Sequence, residues 1–258
     1  MDPTDAALLV AAGTAAGIVN GFAGGGSLIT FPALIATGLP SVSANVTNSL
    51  SVVPGYAASA YGSRTDLAEL VGGQRRRVLA LIPTAVAGSV TGCALLLLAP
   101  ARAFDIVVPF LVLGAAAVLA FQDRLRSMVG HPHDLSPRRR TLAVHCMVAG
   151  GAIYGGYFGA AMGVMMVAGL GLVIADTLAR INALKNIIST TVGLATVVVF
   201  SLFGPVDWLS VAIVAPATIA GGYSGARLAR RVPNAVLRWL IVVFAVVVGV
   251  VLLVRAFR

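Results

Sequence analysis

Apolar stretches separated by short polar breaks run the whole length of the chain, near residues 6–37, 41–62, 78–99, 104–122, 141–175, 181–203, 208–226 and 233–256. Most are about 18 to 25 residues long, the length at which a helix crosses roughly 30 Å of hydrocarbon. The first and fifth are too long for one crossing, and each is interrupted by glycine, as "NGFAGGGS" in the first and "YGGYFGAAMG" in the fifth. Glycine has no Cβ, so such a run can leave helical geometry inside the membrane and turn back. The pattern predicts an all-α, polytopic helical membrane protein. Residues 1–125 form a first repeat, 126–140 a cytoplasmic linker and 141–258 a second repeat, each a glycine-broken hairpin followed by three spanning helices.

Composition agrees with the periodicity. Of the 258 residues 59% are hydrophobic and 10% charged, and the mean hydropathy is +0.97, which excludes an ordinary soluble domain. The net charge of +9 does not indicate nucleic acid. Its arginines cluster where apolar runs end, at Arg75 to Arg77, Arg138 to Arg140, and Arg227, Arg230 and Arg231, which is the signal of cytoplasmic loops. The start, "MDPTDAALLV", has two acids and no basic residue before the apolar run, so no cleaved signal peptide is expected. The expected location is the inner (plasma) membrane, multi-pass.

Orientation follows from the same arginines. If the first and fifth segments begin and end on one side, the loops at 63–77, 123–140 and 227–232 all lie in the cytoplasm and both termini lie outside. A fifth segment crossing once would put "RLARR" outside, against the positive-inside rule. The second repeat then enters from the opposite face, so the repeats are inverted, and a substrate site is expected near the midplane where the broken segments meet.

The breaks and the helices after them supply the candidate site. Leaving the helix at Gly24, Gly25 and Gly26 exposes backbone N–H groups near Gly26 and Ser27, and the second break does so near Met162 and Gly163. Such half-helix N-termini favour an anion. Sliding the second half back by 137 positions lays Asn45 over Asn182, Asn48 over Lys185 and Ser49 over Asn186. Asn182, Lys185, Asn186 and Ser189 share one helical face, matched by Asn45, Asn48 and Ser49, and polar faces in a membrane point inward. Lys185 is the only lysine among 18 basic residues, suited to hold an oxyanion directly. The alternative is that it snorkels to the interface, while Asp176 and Arg180 form an i, i+4 pair or cap.

Other chemistry is thin. Cys93 and Cys146 fall inside apolar runs and read as small buried hydrophobes, and His131 and His133 read as solvated loop residues with no ligand cluster beside them. No metal or cofactor is expected. An enzyme would need a nucleophile with a base, and His145 has no evident acidic partner.

"NGFAGGGSLITFPALIATGLPSVSANVTNSL", followed half a chain later by "GGYFGAAMGVMMVAGLGLVIADTLARINALKNIIS", resembles the TauE/SafE family of sulfite exporter-like membrane proteins. Gly21, Gly24, Gly25, Gly26 and Pro32 stand where that family has its glycine run and proline, and Asn182, Ala183, Lys185 and Asn186 match its "NALKN" form. Ala160 and Ala161 depart from its richer glycine run. The resemblance implies export of a small sulfur-containing anion such as sulfite or a sulfonate, driven by the proton gradient. Expected partners are that anion, the bilayer, protons as a candidate coupling ion and a homo-oligomer as a candidate assembly. A channel or an uptake transporter for another solute stays open. No carboxylate lies clearly within a span, so the proton has a second route, on the substrate as hydrogen sulfite.

Overall fold

The computed structural model describes residues 1–22, 25–62, 64–127, 136–174, 176, 178–228 and 234–256. Those residues form eleven helices and no strand. The first broken segment is α1 (Pro3–Phe22) and α2 (Ser27–Ala36), the second α7 (Pro137–Tyr157) and α8 (Met162–Val173). Helices α2 and α8, at 10 and 12 residues, rise only about 15 to 18 Å, half a bilayer. The helices that follow are α3 (Ser41–Gly62), α4 (Arg64–Leu98) and α5 (Ala101–Ala120), with a short α6 (Gln122–Ser127) before α7. After α8 come α9 (Leu178–Phe203), α10 (Trp208–Leu228) and α11 (Asn234–Ala256).

One expected loop is helix. Residues 64–77, read as a polar loop, are the first turns of α4, which continues unbroken to Leu98. Arginine is a good helix former, so the basic run marks where the helix leaves hydrocarbon rather than where it ends. At 35 residues the helix is about 52 Å long, far more than the membrane needs.

Glycine sets the packing of the long helices. A Cβ on Gly13 would stand 2.8 Å from the Ala217 Cβ, and one on Gly17 would collide with the Thr218 carbonyl, so α1 lies directly against α10. Likewise a Cβ on Gly88 would be 2.9 Å from the Ala149 carbonyl oxygen, and one on Gly92 would collide with the Ile153 carbonyl, so α4 lies against α7. Small residues permit this contact where lipid gives no hydrophobic drive to associate. In each pair residue numbers rise together, so the helices are parallel. The broken helix of each half thus packs on the second long helix of the other.

Two hydroxyls fasten these pairs to their neighbours. The Thr218 hydroxyl of α10 donates to the Ser51 carbonyl of α3 at 3.0 Å, and the Ser89 hydroxyl of α4 donates to the Val192 carbonyl of α9 at 3.2 Å. At the centre α3 and α9 are antiparallel. The Ser43 hydroxyl of α3 donates to the Pro205 carbonyl, just past the end of α9, while Val53 meets Gly193. Phe110, Phe121, Leu202 and Phe203 are exposed on the outside, as a lipid-facing surface requires. Cys93 is buried, whereas Cys146 is exposed; α7 turns its 146 position away from the bundle, which an unbroken apolar run cannot reveal.

Candidate functional site

Side chains take up part of the open backbone at each break. In the first, the Gly26 N–H donates to Oδ1 of Asn20 at 2.8 Å, so an asparagine six residues back on α1 caps the start of α2. A Cβ on Gly26 would lie 2.5 Å from the Ala16 carbonyl and 2.7 Å from Asn20 Nδ2. Its φ of −58° is ordinary, so glycine is needed here for close approach rather than for backbone freedom. Of the N–H groups near Gly26 and Ser27 expected to face an anion, the Gly26 N–H is corrected: Asn20 takes it.

The second break turns through left-handed backbone at Gly159 (φ 75°) and Ala161 (φ 56°). There carbonyls at the end of α7 and in the turn beyond it find side-chain donors, as buried carbonyls must. Asn45 Nδ2 donates to the Tyr157 carbonyl at 2.8 Å, and the Tyr154 hydroxyl to the Ala160 carbonyl at 2.7 Å. Asn45 therefore ties α3 of one half to the break in the other. Asn48 is buried and its Oδ1 accepts from the Thr30 hydroxyl, which joins α3 to α2. Both asparagines hold helices together.

Between the two breaks lies a cavity of about 30 Å3, room for about two water molecules. The first residues of both half-helices, Ser27 and Met162, line it. Its long walls are Ser49, Val52 and Val53 from α3 and Ser189, Val192 and Gly193 from α9, closed by Phe158 and Gly159 of the second break. The two helices contribute the same i, i+3, i+4 set. That pairs Ser49 with Ser189, three positions further along α9 than the anticipated match with Asn186. A helix face nearly repeats at such spacings, so a polar pattern alone cannot fix the register.

The expected site residues divide accordingly. Ser27 and Ser49 line the cavity, and the Ser49 hydroxyl donates to the Asn45 carbonyl at 2.9 Å. Gly25 and Gly26 are buried behind its rim; Gly24 and the Asn182 side chain lie outside the described residues. Lys185 and Asn186 are half-buried on α9 and are not among the cavity walls. The Lys185 side chain runs along Gly163 in the first turn of α8. Arg180 pairs with Asp176 at 3.4 Å, as the i, i+4 spacing predicts. The sequence carries the Lys185 face as far as Ser189; Gly193 and Thr196, four and seven positions beyond it, continue that face and also line the cavity, and that spacing is the signal for them. His131 and His133 lie outside the described residues, among which no cluster of His, Cys, Asp or Glu could hold a metal ion.

The family model described as "Sulfite exporter TauE/SafE" matches residues 9–252. The chain belongs to this family. As a TauE/SafE protein it is a membrane transporter, and its relatives carry that description. It is 27% identical over 247 residues to the "Probable membrane transporter protein YfcA" of Escherichia coli (strain K12), covering 92% of this chain and 86% of that one. It is also 27% identical over 241 residues to a "Probable membrane transporter protein" of Haemophilus influenzae, covering 93% and 91%. A third relative, the "Probable membrane transporter protein ORF9" of Sinorhizobium sp, is 23% identical over 249 residues, covering 96% and 92%. No solved structure matches the chain.

Proposed function

We propose that this transporter exports a small sulfur-containing oxyanion, sulfite or a sulfonate, by alternating access around the cavity between the two breaks. The observation that carries the anion is that both half-helix N-termini, at Ser27 and Met162, open on one cavity, where their dipole ends favour negative charge. Sulfur is supported by the family model. At about 30 Å3 the cavity is narrow, with room for about two waters, which favours a gated carrier over an open channel. The antiparallel α3 and α9, and the exchange of partners between α1·α10 and α4·α7, support reading the halves as inverted repeats.

The chain is oriented in the plasma membrane with its arginine clusters in the cytoplasm. Ser136 is exposed at the start of α7, and a cysteine there reacts only with reagents that reach the cytoplasm. Reaction from outside removes the inverted orientation.

The membrane potential drives export. Among the described residues no Asp or Glu lines the cavity; the substrate leaves as hydrogen sulfite with its own proton, and the inside-negative potential moves its single negative charge outward, about 2.3 kcal/mol per 100 mV. Proteoliposomes loaded with radiolabelled sulfite test this. Imposing an inside-negative potential is expected to speed efflux; efflux equal to that from protein-free liposomes sinks the proposal.

A further inference from the structure

Ser189 is a buried serine, 5% exposed, whose hydroxyl has no hydrogen-bond partner. Helical Ser and Thr in an apolar setting normally donate to the carbonyl four residues back. This chain does so repeatedly: Ser49 to Asn45, Ser51 to Thr47 and Thr191 to Ile187, at 2.8 to 2.9 Å. Ser189 is one turn from Lys185 and makes no such bond. It lines the cavity instead, together with the first residues of both half-helices. A buried hydroxyl without a partner in the protein is costly, so Ser189 calls for an acceptor inside the cavity.

We infer that Ser189 is a substrate-binding residue, donating its hydroxyl hydrogen to an oxygen of a small singly charged oxyanion held between the N-termini of α2 and α8. This rests on the anion-transport reading above. A single charge is specified because, among the described residues, the walls offer hydroxyls and helix ends but no cationic side chain, and Lys185 lies beside the cavity rather than in its wall, which leaves a second negative charge poorly compensated. Selectivity then lies in the oxygen atoms. A halide of the same charge cannot fill the hydroxyl and both helix ends at once.

The test titrates purified wild-type protein and Ser189→Ala with sodium sulfite near pH 6, where hydrogen sulfite dominates, and with sodium methanesulfonate, which is singly charged at any pH. Thermal unfolding in anion-free buffer is recorded for both proteins. Ser189→Ala is expected to weaken binding of both anions about 10- to 100-fold, while melting at or above the wild-type temperature, because alanine removes an unsatisfied group. Unchanged affinity in the variant, with a wild type that binds, overturns the assignment of Ser189 and leaves the transport reading standing. A lower melting temperature makes the hydroxyl structural and also overturns it. A wild type that binds neither anion overturns both.

Discussion

A Cβ placed on Gly163 would stand 3.3 Å from Cδ and 3.8 Å from Nζ of Lys185, so the lysine lies along the first turn of α8. The lysine is one turn before Ser189 on α9, and its charge sits beside the cavity rather than in its wall. On the anion-transport proposal, a half-buried ammonium at that place would act on the anion through space, contributing about 1 kcal/mol. Lys185→Ala is expected to weaken sulfite binding about fivefold, less than Ser189→Ala, and the difference from wild type should shrink at high ionic strength. A loss independent of salt would mean a direct contact. Titrations at low and high ionic strength decide between the two.

Neighbouring glycines of the first break should behave oppositely. A Cβ on Gly25 meets the flexible end of Leu119 at 3.3 Å, whereas one on Gly26 meets the Ala16 backbone carbonyl at 2.5 Å. Gly26→Ala must push α2 off α1 and disturb the Asn20 cap, costing about 1 to 3 kcal/mol. Gly25→Ala should stay within about 0.5 kcal/mol of wild type. Melting temperatures of the two purified variants check this, and equal values would show that the glycine run as a whole, rather than Gly26, sets the approach.

In the second break the requirement is conformational. Gly159 has φ 75°, where a side chain costs about 1 to 2 kcal/mol, and its Cβ would press on the Gly155 carbonyl at 3.0 Å. Gly150, on the open face of α7, has nothing within 4 Å of such an atom. Gly159→Ala should lower the melting temperature and Gly150→Ala raise it, by roughly 0.5 to 1 kcal/mol from helix propensity. A stabilising Gly159→Ala would show that the turn has another geometry.

The two broken segments and the long helices were legible because hydropathy and glycine report where a chain can lie in lipid. That Ser27 and Ser49 face the interior, where they line the cavity, was legible for the same reason: polar groups in spans turn inward. Asn45 and Asn48 show the limit of that rule. An inward amide serves a neighbouring helix as readily as a ligand, and only the position of the Tyr157 carbonyl and the Thr30 hydroxyl tells which. Capping by Asn20 was hidden because the turn brings together residues six apart. The register of α3 on α9 was hidden because it depends on side-chain packing, here Val53 against Gly193, which a polar pattern does not record.

That contact also offers a lock. The Val53 Cβ lies 3.8 Å from the Cβ position of Gly193, the separation a disulfide needs. Val53→Cys with Gly193→Cys, in a chain whose Cys93 and Cys146 are replaced by alanine, should form a bridge across the cavity on oxidation. If transport requires α3 and α9 to separate, the oxidised protein should carry no methanesulfonate and recover when reduced. Methanesulfonate is the substrate of choice because sulfite itself cleaves disulfides. Undiminished transport by the bridged protein would show that these helices do not separate.

Counterflow in proteoliposomes tests anion exchange through the shared cavity most directly. Vesicles carrying the wild-type protein are loaded with unlabelled sulfite, methanesulfonate, acetate or buffer alone, then given a trace of radiolabelled sulfite outside. Internal sulfite or methanesulfonate is expected to drive transient accumulation of label above equilibrium, with acetate and buffer giving none and Ser189→Ala giving much less. Label entering at the same rate whatever the vesicles contain would contradict a carrier, and acetate driving it as well as sulfite would contradict a site built for sulfur oxyanions.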